Sequence, residues 1–339
     1  MDHDPSSEER KMAHINLAME SQISGVLKDK RFNYEPLFEA HPSENEGPKS
    51  INFLGKNLLA GLWISSMTGG TGPARHINQN LARGVGEFGL GMGLGSCRSL
   101  LESDKFFDDF NLRSLVKDQP LYANLGIAQI EKALEKGSWD RIERMVSSLK
   151  ADGLIIHLNP MQEWFQPEGD LLKRSPLESI DKAIEKNSFP LIVKEVGQGM
   201  GPKSLKALMK RRLMAIEFGA FGGTNFSRLE QLRQKEEKGF RELALVGHTA
   251  DEMVSYVNQI LKEEKDILCK DIIISGGVQN ALHGHHLVQT CEANSVYGQA
   301  KAMLLAAKGD YKTFQTFLRN QIEGLSMMEK YLTSGAKSE

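Results

Sequence analysis

The feature that most constrains this chain is a series of eight short apolar runs that recur from residue 62 onward. The runs are rich in β-branched and other apolar residues and are closed by glycine, serine or asparagine, a pattern typical of buried β-strands. They cover residues 62–66, 89–92, 121–124, 154–157, 191–194, 213–216, 272–275 and 295–297. Because segments with helical periodicity separate them, the sequence predicts a parallel sheet.

The helical segments between the runs decide which parallel sheet is expected. They include residues 138–149, 177–186, 203–210 and 250–262. Eight strand–helix units in roughly 250 residues match the eight-stranded β/α barrel, or TIM barrel. A doubly wound open sheet is the alternative, but its first strand-to-helix turn carries Gly-x-Gly-x-x-Gly with an acidic residue about 20 positions later. The chain has no clean match to that pattern, so we favour the barrel.

The chain is predicted to divide into three parts around the barrel. Residues 1–58 precede the first barrel strand and form an N-terminal extension, with an amphipathic helix over residues 10–26 and a hairpin near residues 51–58. The barrel is predicted to cover residues 59–333 and to finish in a closing helix or helix pair. Residues 334–339 are predicted to form a flexible tail.

Composition and charge exclude several classes of function. The 339 residues are 40% hydrophobic and 25% charged, as in ordinary globular proteins. A net charge of -2 leaves no excess basic surface, which argues against a nucleic-acid or membrane partner. The three cysteines are widely spaced and indicate neither a disulfide framework nor a Cys-x-x-Cys metal site. With a polar N-terminus and no apolar run near 18 residues, we expect a cytoplasmic protein.

Three glycine-rich loops follow the last three runs, at residues 221–226, 275–278 and 298–301. In a barrel, the carboxyl ends of the strands build the active site, and phosphate groups tend to lie on the loops after strands seven and eight. Small residues there allow backbone N–H groups to approach phosphate oxygens. The loops therefore predict a phosphorylated cofactor, the alternative being that the glycines only turn strand into helix.

The loops after earlier runs indicate that this cofactor carries a flat ring. Residues 65–70 place polar groups and Met67 beside glycines, although this segment would also serve as a plain turn. Ser96, Asn124 and Lys194 each lie at or just past a strand end, where they are placed to bond the polar edge of a ring. Lys194 offers positive charge where a reduced flavin becomes anionic.

The densest polar cluster, residues 157–170, follows the fourth run. A lone carboxylate such as Glu163 beside an amide suits Mg²⁺, which proteins usually hold by one or two carboxylates together with water and substrate phosphate. The alternative is a solvated polar loop in which His157 caps the strand.

Other candidate groups lie farther along the chain. Arg10 and Lys11 in the N-terminal helix and Arg98 after the second run are candidate cations for a doubly phosphorylated ligand, or else ordinary surface charge. His283 and its neighbours His285 and His286 resemble a metal-binding cluster, but no carboxylate or cysteine spacing supports one.

Eight motifs, read in order, resemble those of the type 2 isopentenyl-diphosphate isomerases. Their order and spacing match along nearly the whole chain, and the stretch His157-Leu158-Asn159-Pro160-x-Gln162-Glu163 is the most specific. The others are Arg10-Lys11-x-x-His14, Ser66-Met67-Thr68-Gly69-Gly70, Gly95-Ser96-Cys97-Arg98, Ala123-Asn124-Leu125-Gly126, Lys194-Glu195-Val196-Gly197, Gly222-Gly223-Thr224-Asn225 and Ser275-Gly276-Gly277.

This resemblance implies a homo-oligomeric barrel, a tetramer or octamer, that interconverts isopentenyl and dimethylallyl diphosphate in isoprenoid biosynthesis. It implies flavin mononucleotide (FMN), Mg²⁺ and a reductant such as NADPH, with the reduced flavin handling the protons. His157 and Gln162 are the expected catalytic side chains, and Glu163 the expected Mg²⁺ ligand. The implied substrate contacts are Arg10, Lys11, Ser96, Arg98, His157, Asn159 and Gln162. The implied FMN contacts are Ser66, Met67, Thr68, Ser96, Asn124, Lys194, Thr224, Gly276, Gly277, Val278, Ala300 and Lys301.

Two other functions fit a flavin barrel. One is an enzyme that truly oxidises or reduces its substrate, such as a 2-hydroxy-acid oxidase, which would turn over NADPH or oxygen in step with product. The other is a flavin- or phosphate-binding sensor without turnover.

This chain departs from the usual residues of the isomerase family at two of these positions. Cys97 replaces the usual glutamine, and Gln279 replaces a residue that is often basic.

Overall fold

The computed structural model describes residues 7–43, 46–66, 69–70, 72–234 and 239–335. Its strands are β1 (Phe32–Tyr34), β2 (Ile51–Phe53), β3 (Lys56–Leu58), β4 (Leu62–Ile64), β5 (Gly91–Gly93), β6 (Leu121–Gly126), β7 (Gly153–Leu158), β8 (Leu191–Glu195), β9 (Ala215–Glu217), β10 (Asp271–Ser275), β11 (Asn294–Gln299) and β12 (Leu332–Ser334). Strands β4 to β11 form a closed parallel barrel in chain order, with β11 beside β4. The predicted TIM barrel is confirmed.

Helices alternate with the barrel strands and surround them. They are α1 (Ser7–Leu17), α2 (Gly72–Phe88), α3 (Phe107–Phe110), α4 (Arg113–Val116), α5 (Ile127–Glu135), α6 (Trp139–Ser148), α7 (Pro160–Phe165), α8 (Pro176–Lys186), α9 (Pro202–Met209), α10 (Phe226–Arg233), α11 (Ala250–Glu263), α12 (Ala281–Thr290), α13 (Lys301–Ala307) and α14 (Tyr311–Tyr331). Short 3-10 turns lie at Gly25–Leu27, Arg98–Leu101, Asp104–Phe106 and Arg241–Leu245. Among the described residues, no helix combines the length and apolarity needed to cross a membrane.

Each of the eight apolar runs overlaps one barrel strand, with small shifts of boundary. The run at 213–216 begins its strand only at Ala215, because Leu213 N–H still bonds the carbonyl of Arg211 in a turn. The run at 89–92 begins its strand at Gly91, after Gly89 has turned the chain with a φ of +64°. Glycine adopts that conformation without steric cost.

The helix predicted over residues 10–26 is wrong in its extent, since α1 begins at Ser7 and ends at Leu17. A separate 3-10 turn, capped by Ser24, follows at Gly25–Leu27. The apolar side chains Met12 and Ile15 are 58% and 72% exposed, so no packed apolar face extends this helix. In proteins, that packing supplies most of a helix's stability.

The barrel interior is filled in layers that follow the alternation of side chains along each strand. One layer is apolar, with Trp63, Tyr122, Ile155, Ile192, Ala215, Ile273 and Val296 in a single buried cluster. Phe53 and Leu58 of the β2–β3 hairpin pack into the same cluster and are fully buried. The hairpin predicted at residues 51–58 is therefore confirmed, and it closes the N-terminal end of the barrel.

Two residues further along each strand, the interior position holds a polar side chain or glycine in every case. We call this set the polar layer, and its members are Ser65, Gly93, Asn124, His157, Lys194, Glu217, Ser275 and Gly298. A Cβ at Gly93 would lie 2.5 Å from Ser66 Oγ, so this position has no room for a side chain. The polar layer forms the floor of the cavity described below.

A strand of the N-terminal extension pairs with the C-terminal strand in a sheet separate from the barrel. Strand β1 pairs antiparallel with β12, so Ser334, predicted to begin the tail, lies opposite Phe32. Phe32 packs against His285 and His286, at ring-centroid distances of 5.9 and 5.5 Å. No group of three His, Cys, Asp or Glu side chains in the described part of the chain is placed to hold a metal ion. These histidines pack the terminal strand pair.

Candidate active site

A cavity of about 560 Å³ opens at the carboxyl ends of the barrel strands. Its floor includes six members of the polar layer, Ser65, Asn124, His157, Lys194, Ser275 and Gly298. Every described residue predicted to contact the flavin lines it, namely Ser66, Ser96, Asn124, Lys194, Thr224, Gly276, Gly277, Val278, Ala300 and Lys301. Met67 and Thr68 lie outside the described residues. This is the position at which barrel enzymes bind their ligands.

One end of the cavity is built from glycine backbone. Gly222 and Gly276 have φ values of +106° and +85°, a region that residues with a Cβ rarely adopt. The two loops approach each other closely, and a Cβ on Gly223 would lie 3.0 Å from the backbone nitrogen of Gly277. Side chains are thus kept away from this end, which leaves the backbone of both loops open to the cavity, an arrangement suited to a phosphate group.

Three polar atoms around the cavity are buried without a hydrogen-bond partner among the described residues. They are Ser65 Oγ, Ser66 Oγ and the Oε1 atom of Gln299. Buried polar atoms nearly always have a partner in native proteins. A polar ligand in the cavity would supply the partners that these atoms lack.

His157 is held in one orientation by Asn124. Asn124 Nδ2 donates to the carbonyl of Leu94 at 2.9 Å, which turns its Oδ1 toward His157 Nδ1 at 2.7 Å. The proton of a neutral imidazole therefore lies on Nδ1, and Nε2 is left as an acceptor. Burial, assisted by the positive charge of Lys194, lowers the pKa of His157 to about 4. At neutral pH the ring is therefore neutral, and its Nε2 can accept a hydrogen bond but has no proton to donate.

We expect His157 to stay neutral from pH 5.5 to pH 8, because burial opposes its positive charge. The change to measure is the ¹⁵N chemical shift of its two ring nitrogens in the purified protein. Nδ1 should appear protonated and Nε2 unprotonated across the range. The His157→Asn variant identifies the signals, and a ring that takes up a second proton near pH 6 would contradict the assignment.

Lys194 lies in the polar layer and is 7% exposed. Its Nζ donates to the carbonyl of Glu195 at 3.0 Å and lies 3.3 Å from Oε1 of Glu217. Two lysines line the cavity, Lys194 at its floor and Lys301 at its glycine-rich end, and they supply positive charge there.

Glu195 shapes one wall of the cavity. Its Oε2 accepts the backbone N–H groups of Gly197, Gln198 and Gly199 at 2.7 to 2.8 Å. Burial raises the pKa of Glu195 to about 7, against the opposing effect of these three donors. Val196 and Gly197 line the cavity, so the carboxylate fixes the turn that forms this wall.

A second group of polar residues adjoins the cavity on helix α7. Gln162 lines the cavity, and its Oε1 lies 3.3 Å from Nδ2 of Asn159. Asn159 Nδ2 also donates to Glu163 Oε1 at 2.8 Å, and the backbone N–H of Asp170 donates to Glu163 Oε2 at 2.7 Å. Glu163 is 7% exposed, and Asn159 Oδ1 has no hydrogen-bond partner among the described residues. The side chains of Asn159 and Glu163, which both carry oxygen atoms, thus lie side by side.

This group extends to Arg98. Asp170 Oδ2 lies 3.5 Å from Arg98, and its Oδ1 lies 2.6 Å from Lys132 Nζ. Arg98 does not line the cavity, but one carboxylate connects it to the loop that holds Glu163. The structure therefore brings Gln162, Asn159, Glu163 and Arg98 into one network.

Arg10 and Lys11 are not brought to the cavity. Both are exposed on α1, and neither is among the residues that line the cavity. Their role in substrate binding remains a prediction.

Sequence reasoning did not single out Glu217, the carboxylate of the polar layer, which lies beside Lys194. Gly219, Ala302 and Leu305 also line the cavity and lie outside the predicted loops and motifs. The alternation of side chains was a usable signal for Glu217, because the residue lies two positions after the interior Ala215.

The chain is similar in sequence to curated isopentenyl-diphosphate delta-isomerases. It is 33% identical over 301 residues to that of Rickettsia prowazekii (strain Madrid E), which covers 88% of this chain and 86% of the relative. It is 32% identical over 319 residues to that of Rickettsia africae (strain ESF-5), which covers 93% and 89%. No family model matches the chain.

The fold is similar to solved flavoprotein barrels. A flavocytochrome b2 variant with pyruvate bound gives a TM-score of 0.60 at 13% identity, over 88% of this chain and 72% of that chain. A mandelate oxidase variant with a monooxide FMN adduct gives 0.55 at 11% identity, over 88% and 83%. Identities this low speak for the shared fold alone.

Proposed function

Because this chain belongs to the isopentenyl-diphosphate delta-isomerase family, and is therefore an isomerase, we propose that it is the type 2 form, which uses FMN and Mg²⁺. The substrate would be isopentenyl diphosphate, converted to dimethylallyl diphosphate by moving one proton on and another off the carbon chain. The single observation that carries the proposal is the cavity, whose polar floor and glycine-rich end together suit a flavin with a phosphate.

The residues around the cavity fit FMN. The unpartnered Ser65, Ser66 and Gln299 atoms would be satisfied by the polar edge of the ring, and the loops at Gly223 and Gly277 would hold the phosphate. Bound in reduced form, the flavin would supply a weak acid and base, so that the double bond moves without net transfer of electrons. The mandelate oxidase variant that shares this fold holds an FMN adduct, so the fold is compatible with this cofactor.

The donor set on α7 fits Mg²⁺. Each Glu163 oxygen accepts one hydrogen bond and retains a further lone pair, and the Asn159 Oδ1 beside it has no hydrogen-bond partner in the described part of the chain. Mg²⁺ is usually held by one or two such ligands together with substrate phosphate and water. Glu163 would hold the ion there, and the ion would offset the charge of the diphosphate.

The side chains of the chain would act mainly by positioning the substrate. Gln162 and His157 line the cavity and would act there as hydrogen-bonding groups, while Ser96, Asn159 and Arg98 would bind the substrate. We propose that Arg10 and Lys11 also bind the diphosphate. NADPH would serve only to reduce the flavin before the first turnover. We further propose that the protein forms a homo-oligomer and acts in the cytoplasm.

One experiment tests this function. Purified protein, loaded with FMN, reduced and kept anaerobic, is incubated with isopentenyl diphosphate and Mg²⁺, and dimethylallyl diphosphate is followed by NMR. We expect many turnovers per flavin with no further reductant. Oxidation of the flavin in step with loss of isopentenyl diphosphate, without dimethylallyl diphosphate, would indicate an oxidoreductase, and stable FMN binding with no change in isopentenyl diphosphate would indicate a sensor.

A further inference from the structure

Glu217 is the most deeply buried ionisable group of the polar layer, with an exposure of 0%. It lies at the end of β9, opposite Lys194 of β8 in the strand register. Its Oε1 lies 3.3 Å from Lys194 Nζ and accepts a hydrogen bond from Ser275 Oγ at 3.0 Å. Lys194 and Ser275 line the cavity, whereas Glu217 does not. The carboxylate therefore contacts the cavity only through its neighbours.

This arrangement is costly for an ordinary structural residue. Glu217 Oε2 is buried with no hydrogen-bond partner among the described residues. Breaking a buried ion pair by removing one partner is strongly unfavourable, and an apolar replacement of both groups is often as stable as the pair itself. If Glu217 and Lys194 only filled space, two apolar side chains would serve as well as the ion pair. Its location beside Lys194 indicates that its charge is used there.

We propose that Glu217 is a positioning residue, which fixes Lys194 toward the cavity and offsets its positive charge, and thereby sets how strongly the site favours a reduced, anionic flavin. This inference rests on the proposed binding of FMN. A Lys194 ammonium without its carboxylate would present a full positive charge to the ring and would stabilise the reduced form more strongly. Ser275 orients the carboxylate by its hydrogen bond, and Gly219 N–H in turn donates to Ser275 Oγ at 3.1 Å.

The test is the midpoint potential of FMN bound to the Glu217→Gln variant. Glutamine keeps the shape and can still accept the Ser275 hydrogen bond, but it removes the charge. We expect reduced FMN to gain at least about tenfold in affinity relative to oxidised FMN, which for a two-electron couple raises the potential by about 30 mV. Glu217→Asp keeps the charge and is the matched control, so its potential should stay close to that of the unaltered protein.

A double-mutant comparison separates charge from packing. In a Lys194→Gln background, adding Glu217→Gln should leave the potential nearly unchanged, because no ammonium remains to be offset. An unchanged potential in Glu217→Gln with FMN bound, or an equal shift in both backgrounds, would overturn the proposal.

The apoprotein provides a second measurement that needs no cofactor. Lys194→Gln leaves the Glu217 carboxylate buried and unpaired, so adding Glu217→Gln should raise Tm again, by roughly 3 °C or more. A Tm of the double variant equal to or below that of Lys194→Gln would overturn the pairing, and this comparison does not require Glu217→Gln alone to fold. Failure of the unaltered protein to retain FMN would contradict the proposed function instead, and the Tm comparison would still decide whether Glu217 acts on Lys194.

Discussion

Gly223→Val is expected to abolish retention of FMN while the barrel remains folded. Gly223 does not have a positive φ, so valine adds no backbone strain of the kind that Gly276 would suffer. Its Cβ would lie 3.0 Å from the Gly277 backbone nitrogen, and the rest of the side chain would fill the space proposed for the phosphate. Losing two charge-assisted hydrogen bonds at about 1.5–3 kcal/mol each weakens binding by at least roughly 100-fold.

The measurement is the dissociation constant of FMN, obtained from the quenching of its fluorescence by the apoprotein. Gly309→Val is the matched control, because a Cβ at Gly309 has nothing within 4 Å and the residue lies away from the cavity. Circular dichroism should show the same helix content in both variants. Unchanged affinity in Gly223→Val would place the phosphate elsewhere in the cavity.

The barrel was predictable because its strands are buried on both faces. A parallel strand inside a ring of helices reads as a continuous apolar run, as Leu154 to Ile156 and Ile272 to Ile274 do, and the count of such runs gives the strand number. The hairpin at residues 51–58 was equally local, since its two strands are joined by Leu54 and Gly55, both with positive φ. Local patterns therefore carried most of the fold.

The length of helix α1, by contrast, could not be predicted from the local sequence pattern alone. An amphipathic pattern forms a stable helix only where its apolar face is packed, and Met12 and Ile15 remain exposed. For the same reason the location of Arg10 and Lys11 relative to the cavity does not follow from their sequence. Their positions depend on what α1 packs against, which the pattern of the helix does not specify.

The candidate site was only partly predictable. Asn124, His157 and Lys194 stood out because each is a polar residue that ends an otherwise apolar run. Glu217 directly follows its own run, but its significance depends on β8 and β9 lying side by side in a register that places it opposite Lys194. That register is fixed by closure of the whole barrel, which no single segment encodes.

Glu163→Gln is expected to lower turnover of isopentenyl diphosphate by at least roughly 100-fold at any Mg²⁺ concentration, because a metal ion contributes several kcal/mol to stabilising developing charge. Glutamine can still accept the hydrogen bond from Asn159 Nδ2, but its amide N–H₂ group would face the Asp170 N–H that now donates to Glu163 Oε2. Both the charge and one orienting hydrogen bond are lost. Affinity for FMN should change little, because Glu163 does not line the cavity.

Glu168→Gln is the matched control for this substitution. Glu168 lies in the same loop, but its side chain is 57% exposed and pairs with Arg233 on the surface at 3.0 Å. Because surface ion pairs contribute little, its removal should leave both turnover and the Mg²⁺ concentration for half-maximal rate unchanged. If Glu163→Gln kept the same Mg²⁺ dependence as Glu168→Gln, the ion would have to be held by the substrate diphosphate without Glu163, and the buried carboxylate would then serve only to fasten Asn159 and the loop at Asp170.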